Sequence, residues 1–137
     1  MKVPTDHAVL NDIYNHYYSA FAGFSSEGKE RGTKVYVPVD IRAVSKRLRV
    51  DPDIVFGRLY YHLEKKYGYQ QSGGEHVCFF SPVVGTDRHC VNFPLLGAVL
   101  AGMREERRKT HWAVGIAILS LIVSAVSIVI SILLKRG

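Results

Sequence analysis

The chain has 137 residues, with 18 Lys and Arg against 12 Asp and Glu for a net charge of +6, and two cysteines. Two cysteines exclude a disulfide-stapled scaffold, and the polar, Tyr-rich residues 1–111 leave room for one small core and no more. Setting aside Lys135 and Arg136 leaves +4 on the remainder, part of it clustered beside an apolar tail where membrane phosphates attract cations, so the basic balance alone does not specify nucleic acid.

Met1-Lys2-Val3-Pro4 lacks the basic and apolar regions of a signal peptide, so no removable leader is expected. Thr5 is placed to cap a helix with Leu10, Ile13, Tyr14, Tyr17, Phe21 and Phe24 at a spacing of three or four. Gly23 to Gly32 is small and charged, which predicts a loop. Thr33 to Val39 is β-prone, and Pro38 restricts it to a sheet edge. Asp40 caps a short helix carrying Ile41, Val44 and Leu48. Asp51 caps a third, with Pro52 in the first turn, where its missing donor costs nothing. Val55, Phe56, Leu59 and Leu63 form its inward face, and Gly68 stops it after Tyr67.

Ser72-Gly73-Gly74-Glu75 then connects a strand at Tyr69–Gln71 to one at His76–Phe80, and a second connection over Ser81 to Arg88 leads to a strand at His89–Phe93. Pro94 opens a last helix with Leu95, Leu96, Val99, Leu100 and Met103 on one stripe. No proline follows Pro94, so this helix is expected to continue through the apolar segment.

Trp112 to Leu134 is a run of 23 residues without a charge, 14 of them Ile, Leu or Val. As a helix it measures about 34 Å, enough to cross a hydrocarbon core of about 30 Å with some tilt. A domain of this size cannot wrap such a helix on every face, so the run is expected to span a membrane. Arg104, Arg107, Arg108 and Lys109 precede it and only Lys135 and Arg136 follow. The positive-inside tendency then places the N-terminal part in the cytoplasm. The expected organisation is a domain at 1–94, a basic amphipathic juxtamembrane helix at 95–111, a transmembrane helix at 112–134 and a short basic tail at 135–137. Ala113, Ala117, Ser120, Ser124, Ser127 and Ser131 recur at intervals of four and three, a seam of small residues suited to a left-handed helix crossing and a homo-oligomer.

Helix, strand, two helices joined by a tight turn, a hairpin and a final helix is the order of a winged helix-turn-helix domain. Residues 40–55, then Arg58-Leu59 and Leu63-Glu64-Lys65-Lys66-Tyr67-Gly68-Tyr69, resemble the second helix, turn, third helix and wing entry of bacterial winged-helix regulators, over about Lys34 to Phe93. The resemblance implies an α+β soluble domain, here followed by the one transmembrane helix expected from the apolar run, and a place for a small residue, Ser45 or Ala43, where the two helices cross. It also implies duplex DNA as a partner. Two features depart from the family: Arg49 stands where the turn often has Gly, and the outward positions of the third helix (Asp53, Gly57, Tyr60, Tyr61 and Glu64) lack the paired donors that read base edges.

Two binding surfaces follow. Arg42, Lys46, Arg47 and Arg49, with Arg58 and Lys65 nearby, are candidates to grip a nucleic-acid backbone. Tyr60 and Tyr61 are candidates for a cytoplasmic protein partner, since Tyr offers contact area with few rotors. The first gives a membrane-tethered nucleic-acid-binding regulator. The second gives a protein-interaction module with a self-assembling or permeabilising anchor, as in a stress, toxin-like or phage-related effector. His76-x-Cys78 and His89-Cys90 offer four soft ligands, but His89 and Cys90 point to opposite faces of a strand, so no tetrahedral metal site is expected from them. No glycine loop of nucleotide-binding form and no nucleophile elbow occurs, so neither a cofactor nor an enzyme is expected.

Overall fold

The computed structural model describes residues 2–28 and 31–137, so the loop expected over Gly23 to Gly32 includes two positions, Lys29 and Glu30, outside the described residues. The chain is mixed α and β. Helix α1 (Asp6–Ala22) leads to strand β1 (Tyr36–Pro38), then α2 (Ile41–Leu48) and α3 (Pro52–Gly57). A π-helical turn (Arg58–Leu63) carries α3 directly into α4 (Glu64–Tyr67). Strands β2 (Tyr69–Gln70), β3 (His76–Val77), β4 (Phe80–Val84) and β5 (Asp87–Asn92) follow, and α5 runs from Phe93 to Arg136. The chain divides into two compact units, Met1–Ala101 and Gly102–Gly137.

The three expected caps form. Thr5 Oγ1 accepts from Ala8 N at 3.2 Å, Asp40 Oδ1 from Ala43 N at 3.1 Å and Asp51 Oδ1 from Asp53 N at 2.8 Å. Each satisfies one of the orphan donors of a first turn. Arg49 closes α2 in the left-handed region at φ 56°, and its N–H donates to Lys46 O. The chain therefore makes the glycine-type turn with a residue that carries a Cβ, at a steric cost of about 1–2 kcal/mol.

Three antiparallel strands form one sheet in the order β1-β5-β4, with Val37 opposite Val91 and Phe80 opposite the other side of Val91. β1 lies at the edge, where Pro38 removes no ladder donor that the sheet needs. β2 and β3 pair as a separate two-stranded hairpin. The core is drawn from every layer: Val9, Leu10 and Ile13 of α1, Val44 of α2, Val55, Leu59 and Leu63 of the third helical segment, Phe79, Phe80 and Val91 of the sheet region, and Phe93, Leu96 and Leu100 of α5. Ser45, 2% exposed, is the small buried residue of α2, and its hydroxyl donates to Arg42 O.

Two expectations for the β region need correction. The strand expected at His76–Phe80 is interrupted at Cys78 and Phe79, because the amides of Phe79 and Phe80 donate to the Glu64 carboxylate. The connection expected over Ser81 to Arg88 is mostly strand. β-Branched Val83 and Val84 extend β4, and only Gly85-Thr86 turns the chain, with Gly85 at φ +60° in the first loop position of a two-residue hairpin. The last helix starts one residue before Pro94, with Asn92 Oδ1 accepting from Leu95 N at 3.2 Å.

Carboxylates on α1 fix its place against the helices that follow. Asp12 receives Arg47 through Nε and Nη2, the shortest contact being 2.8 Å, and this pairing holds the guanidinium above its usual pKa. Asp6 meets Arg58 at 2.7 Å, His62 at 3.0 Å and Lys66 at 3.7 Å. The Arg58 contact is a charge contact and not an aligned hydrogen bond. Arg58, His62 and Lys66 lie four apart, and the wider π turn offsets the drift that an α-helix gives such positions.

The cost of the Arg49 turn is testable. Arg49→Gly should raise stability by about 0.5–1 kcal/mol in urea unfolding of the detergent-solubilised chain, since Gly enters the left-handed region without a Cβ penalty. An unchanged or lowered midpoint contradicts strain at this position.

Candidate functional site

The face built by α2, the turn and α3 holds the cations expected to contact nucleic acid, but they do not share one role. Arg42 and Lys46 are exposed four residues apart on α2, and Arg49 is exposed at the left-handed turn that follows it; Lys65 is exposed on α4. None of these four takes part in an ion pair among the described residues. Arg47 and Arg58 are different. Their guanidinium groups are committed to Asp12 and Asp6, and their side chains are only 29% and 30% exposed. Each serves as a tie between α1 and the segment running from α2 to α4, because two carboxylates of α1 sit opposite them. Nothing in their own local sequence reveals those partners, which lie 35 and 52 residues earlier.

The outward face of the third helical segment presents Asp53, Ile54, Tyr60 and Tyr61, all exposed. Tyr61 is 72% and Tyr60 41% exposed; Tyr60 stacks on Phe56 at 5.4 Å and meets Tyr61 edge-on at 5.0 Å. Phe56 also touches the His89 ring, and Ile41, Arg42, Pro52, Asp53, Phe56 and His89 line a shallow cleft of about 190 Å³. His89 holds φ 55° within β5, a backbone position that favours glycine. Its ring lies parallel to Phe80, so it is packed among aromatics instead of facing a metal.

Glu64 does not belong to that outward face, contrary to expectation. Its side chain turns inward at 18% exposure, and Oε2 accepts from Phe79 N at 2.6 Å and Phe80 N at 2.8 Å. Oε1 accepts from His76 Nε2 at 2.8 Å. Gly68 permits this arrangement, since a Cβ there would come within 2.7 Å of both Glu64 O and Oε1. The two free peptide donors left by the break after β3 draw the carboxylate in.

Cys78 lies beside the same carboxylate, so Glu64, His76 and Cys78 bring one donor atom each to within 4.8 Å of one another. Burial first, then the Glu64 charge, push the Cys78 thiol above its ordinary pKa. Cys90 is fully buried in the core, and burial pushes its thiol up as well. The four soft ligands paired by sequence motif are therefore not brought together, whereas two of them meet a glutamate from α4. The 12-residue gap between Glu64 and His76 hid that contact from any local motif.

In the second unit, every residue from Trp112 to Leu134 is exposed, and the helix is long and apolar enough to cross a membrane, with an 18-residue stretch of mean hydropathy 2.9. Ala113, Ala117, Ser120, Ser124, Ser127 and Ser131 follow the seam at heptad spacing. All four hydroxyls donate within their own helix: Ser120 to Ile116 O, Ser124 to Ser120 O, Ser127 to Val123 O and Ser131 to Ser127 O, at 2.9–3.0 Å. Their protons are thus satisfied in a single helix, and what the seam offers a neighbour is small size and a free hydroxyl lone pair.

The chain matches no known protein family, no curated relative and no solved structure.

Glu64→Ala should cost about 1–3 kcal/mol, because it leaves two part-buried N–H groups without acceptors. Amide hydrogen exchange at Phe79 and Phe80 should accelerate with it. Unchanged protection at both amides would remove Glu64 from this role.

Proposed function

We propose that the protein is a non-enzymatic, single-pass membrane protein whose N-terminal unit is a winged-helix module that grips a nucleic-acid backbone at the cytoplasmic surface. The exposed cations Arg42 and Lys46 on α2, Arg49 at the turn and Lys65 on α4, unpaired with any described carboxylate, are the observation that carries it. The element order and the β1-β5-β4 sheet agree with a winged-helix architecture, in which β4 and β5 make the wing. Such a grip is insensitive to sequence. Phosphates reward positive charge at the right spacing, while the third helix offers tyrosines and an aspartate where base-reading donors would be needed. Arg47 and Arg58 support the surface from behind as ties to α1.

Anchoring follows from the apolar helix, and the cationic group at Arg104, Arg107, Arg108 and Lys109 favours an N-terminal unit on the cytoplasmic side. Tethering to a plane raises the local concentration of modules, so even weak individual contacts suffice for a multivalent assembly on one duplex. The small-residue seam gives a route to homo-oligomers of the kind such binding would exploit.

A second function, docking of a cytoplasmic protein, is favoured by one observation: Tyr60 and Tyr61 are both exposed, Tyr61 at 72%, on a segment whose outward face also carries Asp53. An aromatic patch with an acidic neighbour fits an apolar groove rimmed by cations.

One experiment separates the two. The detergent-solubilised chain should retard duplex DNA at low salt, with the logarithm of affinity falling against the logarithm of salt at a slope of about −3 to −4 for four phosphate contacts. Combining Arg42→Ala, Lys46→Ala and Arg49→Gly should flatten that slope by about 2–3, whereas Tyr60→Ala with Tyr61→Ala should leave it unchanged. Unaltered DNA mobility at low salt with excess protein would rule out nucleic acid.

A further inference from the structure

We propose that Glu64, His76 and Cys78 form a binding site for a single zinc-class divalent ion, with one coordination position open to solvent. The site is independent of whether the helix-turn-helix face meets nucleic acid or protein. Three different donor types arrive from two separate segments, one from α4 and two from β3 and the residue just beyond it. Nitrogen, sulfur and carboxylate oxygen together select zinc and its transition-metal neighbours over magnesium or calcium, which require all-oxygen shells.

The metal-free geometry is that of a collapsed site. Glu64 Oε1 accepts from His76 Nε2 at 2.8 Å, and the Cys78 sulfur lies within 4.8 Å of both donor atoms. The imidazole hydrogen thus occupies the space beside the carboxylate where a cation would sit. A tetrahedral ion at about 2.0 Å from N and O and about 2.3 Å from S sets its donors roughly 3.3–3.6 Å apart. The observed donors, all within 4.8 Å of one another, reach that spacing by small side-chain rotations. A thiolate and a carboxylate neutralise a dication, and a neutral imidazole completes three ligands. On binding, the imidazole hydrogen moves to Nδ1, freeing the Nε2 lone pair, and the thiol loses its proton to solvent. One proton is released per ion when His76 starts neutral.

Supporting contacts are already in place. The amides of Phe79 and Phe80 hold Oε2, which leaves Oε1 as the single coordinating oxygen and fixes its direction. The Tyr36 hydroxyl donates to the Cys78 carbonyl at 3.3 Å and steadies the residue that carries the sulfur. Gly68 keeps the space around Oε1 clear. His76 is 46% exposed, so water or an exchangeable ligand has access to the fourth position. A bound ion would also clamp the two-residue strands of the β2–β3 hairpin to α4, a hairpin too short to be stable by its own ladder.

The test uses the full chain in detergent micelles after chelator treatment, titrated with Co²⁺ and then competed with Zn²⁺. One Co²⁺ per chain should bind with the intense visible bands of a tetrahedral ion and a thiolate-to-metal charge-transfer band, and Zn²⁺ should displace it. Cys78→Ser should abolish the charge-transfer band; His76→Ala, at an exposed position, and Glu64→Gln, which keeps an acceptor for the amides, should each weaken binding by tenfold or more. Cys90→Ala should retain the band. Absence of a thiolate band in the unsubstituted chain overturns the site, as does a band that survives Cys78→Ser or disappears with Cys90→Ala.

Discussion

The aliphatic side chains between Trp112 and Leu134 are covered by no other described part of the chain, since every residue in that run is exposed. Fourteen branched aliphatic residues left in water would drive aggregation, and the transfer of such a helix into lipid is favourable by about a few kcal/mol after its serines are counted. In the proposed account lipid satisfies this demand, and the backbone is compatible with it, because the helix pairs its own amides and the four serine hydroxyls bond to carbonyls one turn back. In the proposed account the first unit works at a surface, where orientation and local density replace high affinity.

Within that unit, buried and half-buried carboxylates decide which cations remain available. Asp12 and Asp6 of α1 engage Arg47 and Arg58, so two cations of the segment from α2 to α4 serve to dock α1. Glu64 is withdrawn from the surface by two peptide donors, which leaves Asp53 as the acid on the outward face. The result is a surface with fewer available cations along α2, and a less acidic, more aromatic outward face on the third helical segment, than the amino-acid order suggests. The same withdrawal of Glu64 creates the cluster with His76 and Cys78. One carboxylate thereby shapes both the binding face and the proposed ion site.

Local rules made much of the fold legible. Thr5, Asp40 and Asp51 cap where the capping chemistry requires, Pro38 lies on an edge strand, and the inward positions Val55, Leu59 and Leu63 are fully buried. The α+β character and the long apolar helix also follow from periodicity. Contacts between distant residues were not legible. The Asp12–Arg47 and Asp6–Arg58 pairs, and the capture of Phe79 and Phe80 amides by Glu64, join segments between 15 and 52 residues apart. The second hairpin was missed for a local reason: Ser81-Pro82 and Thr86-Asp87 resemble turn residues, yet Val83-Val84 and the Gly85 turn outweighed them. Of the candidate sites, the exposed cations and tyrosines lie where amphipathic spacing puts them, whereas the metal-type cluster needed tertiary structure to bring in its glutamate.

Resistance to alkaline extraction tests the membrane placement most directly. Membranes from cells expressing the whole chain, washed with sodium carbonate at high pH, should retain the protein in the pellet until detergent dissolves the bilayer, because an apolar helix of 23 uncharged residues is held by lipid and not by charge. Release into the carbonate supernatant, or a chain that stays monomeric in buffer without detergent, would contradict the account at its root.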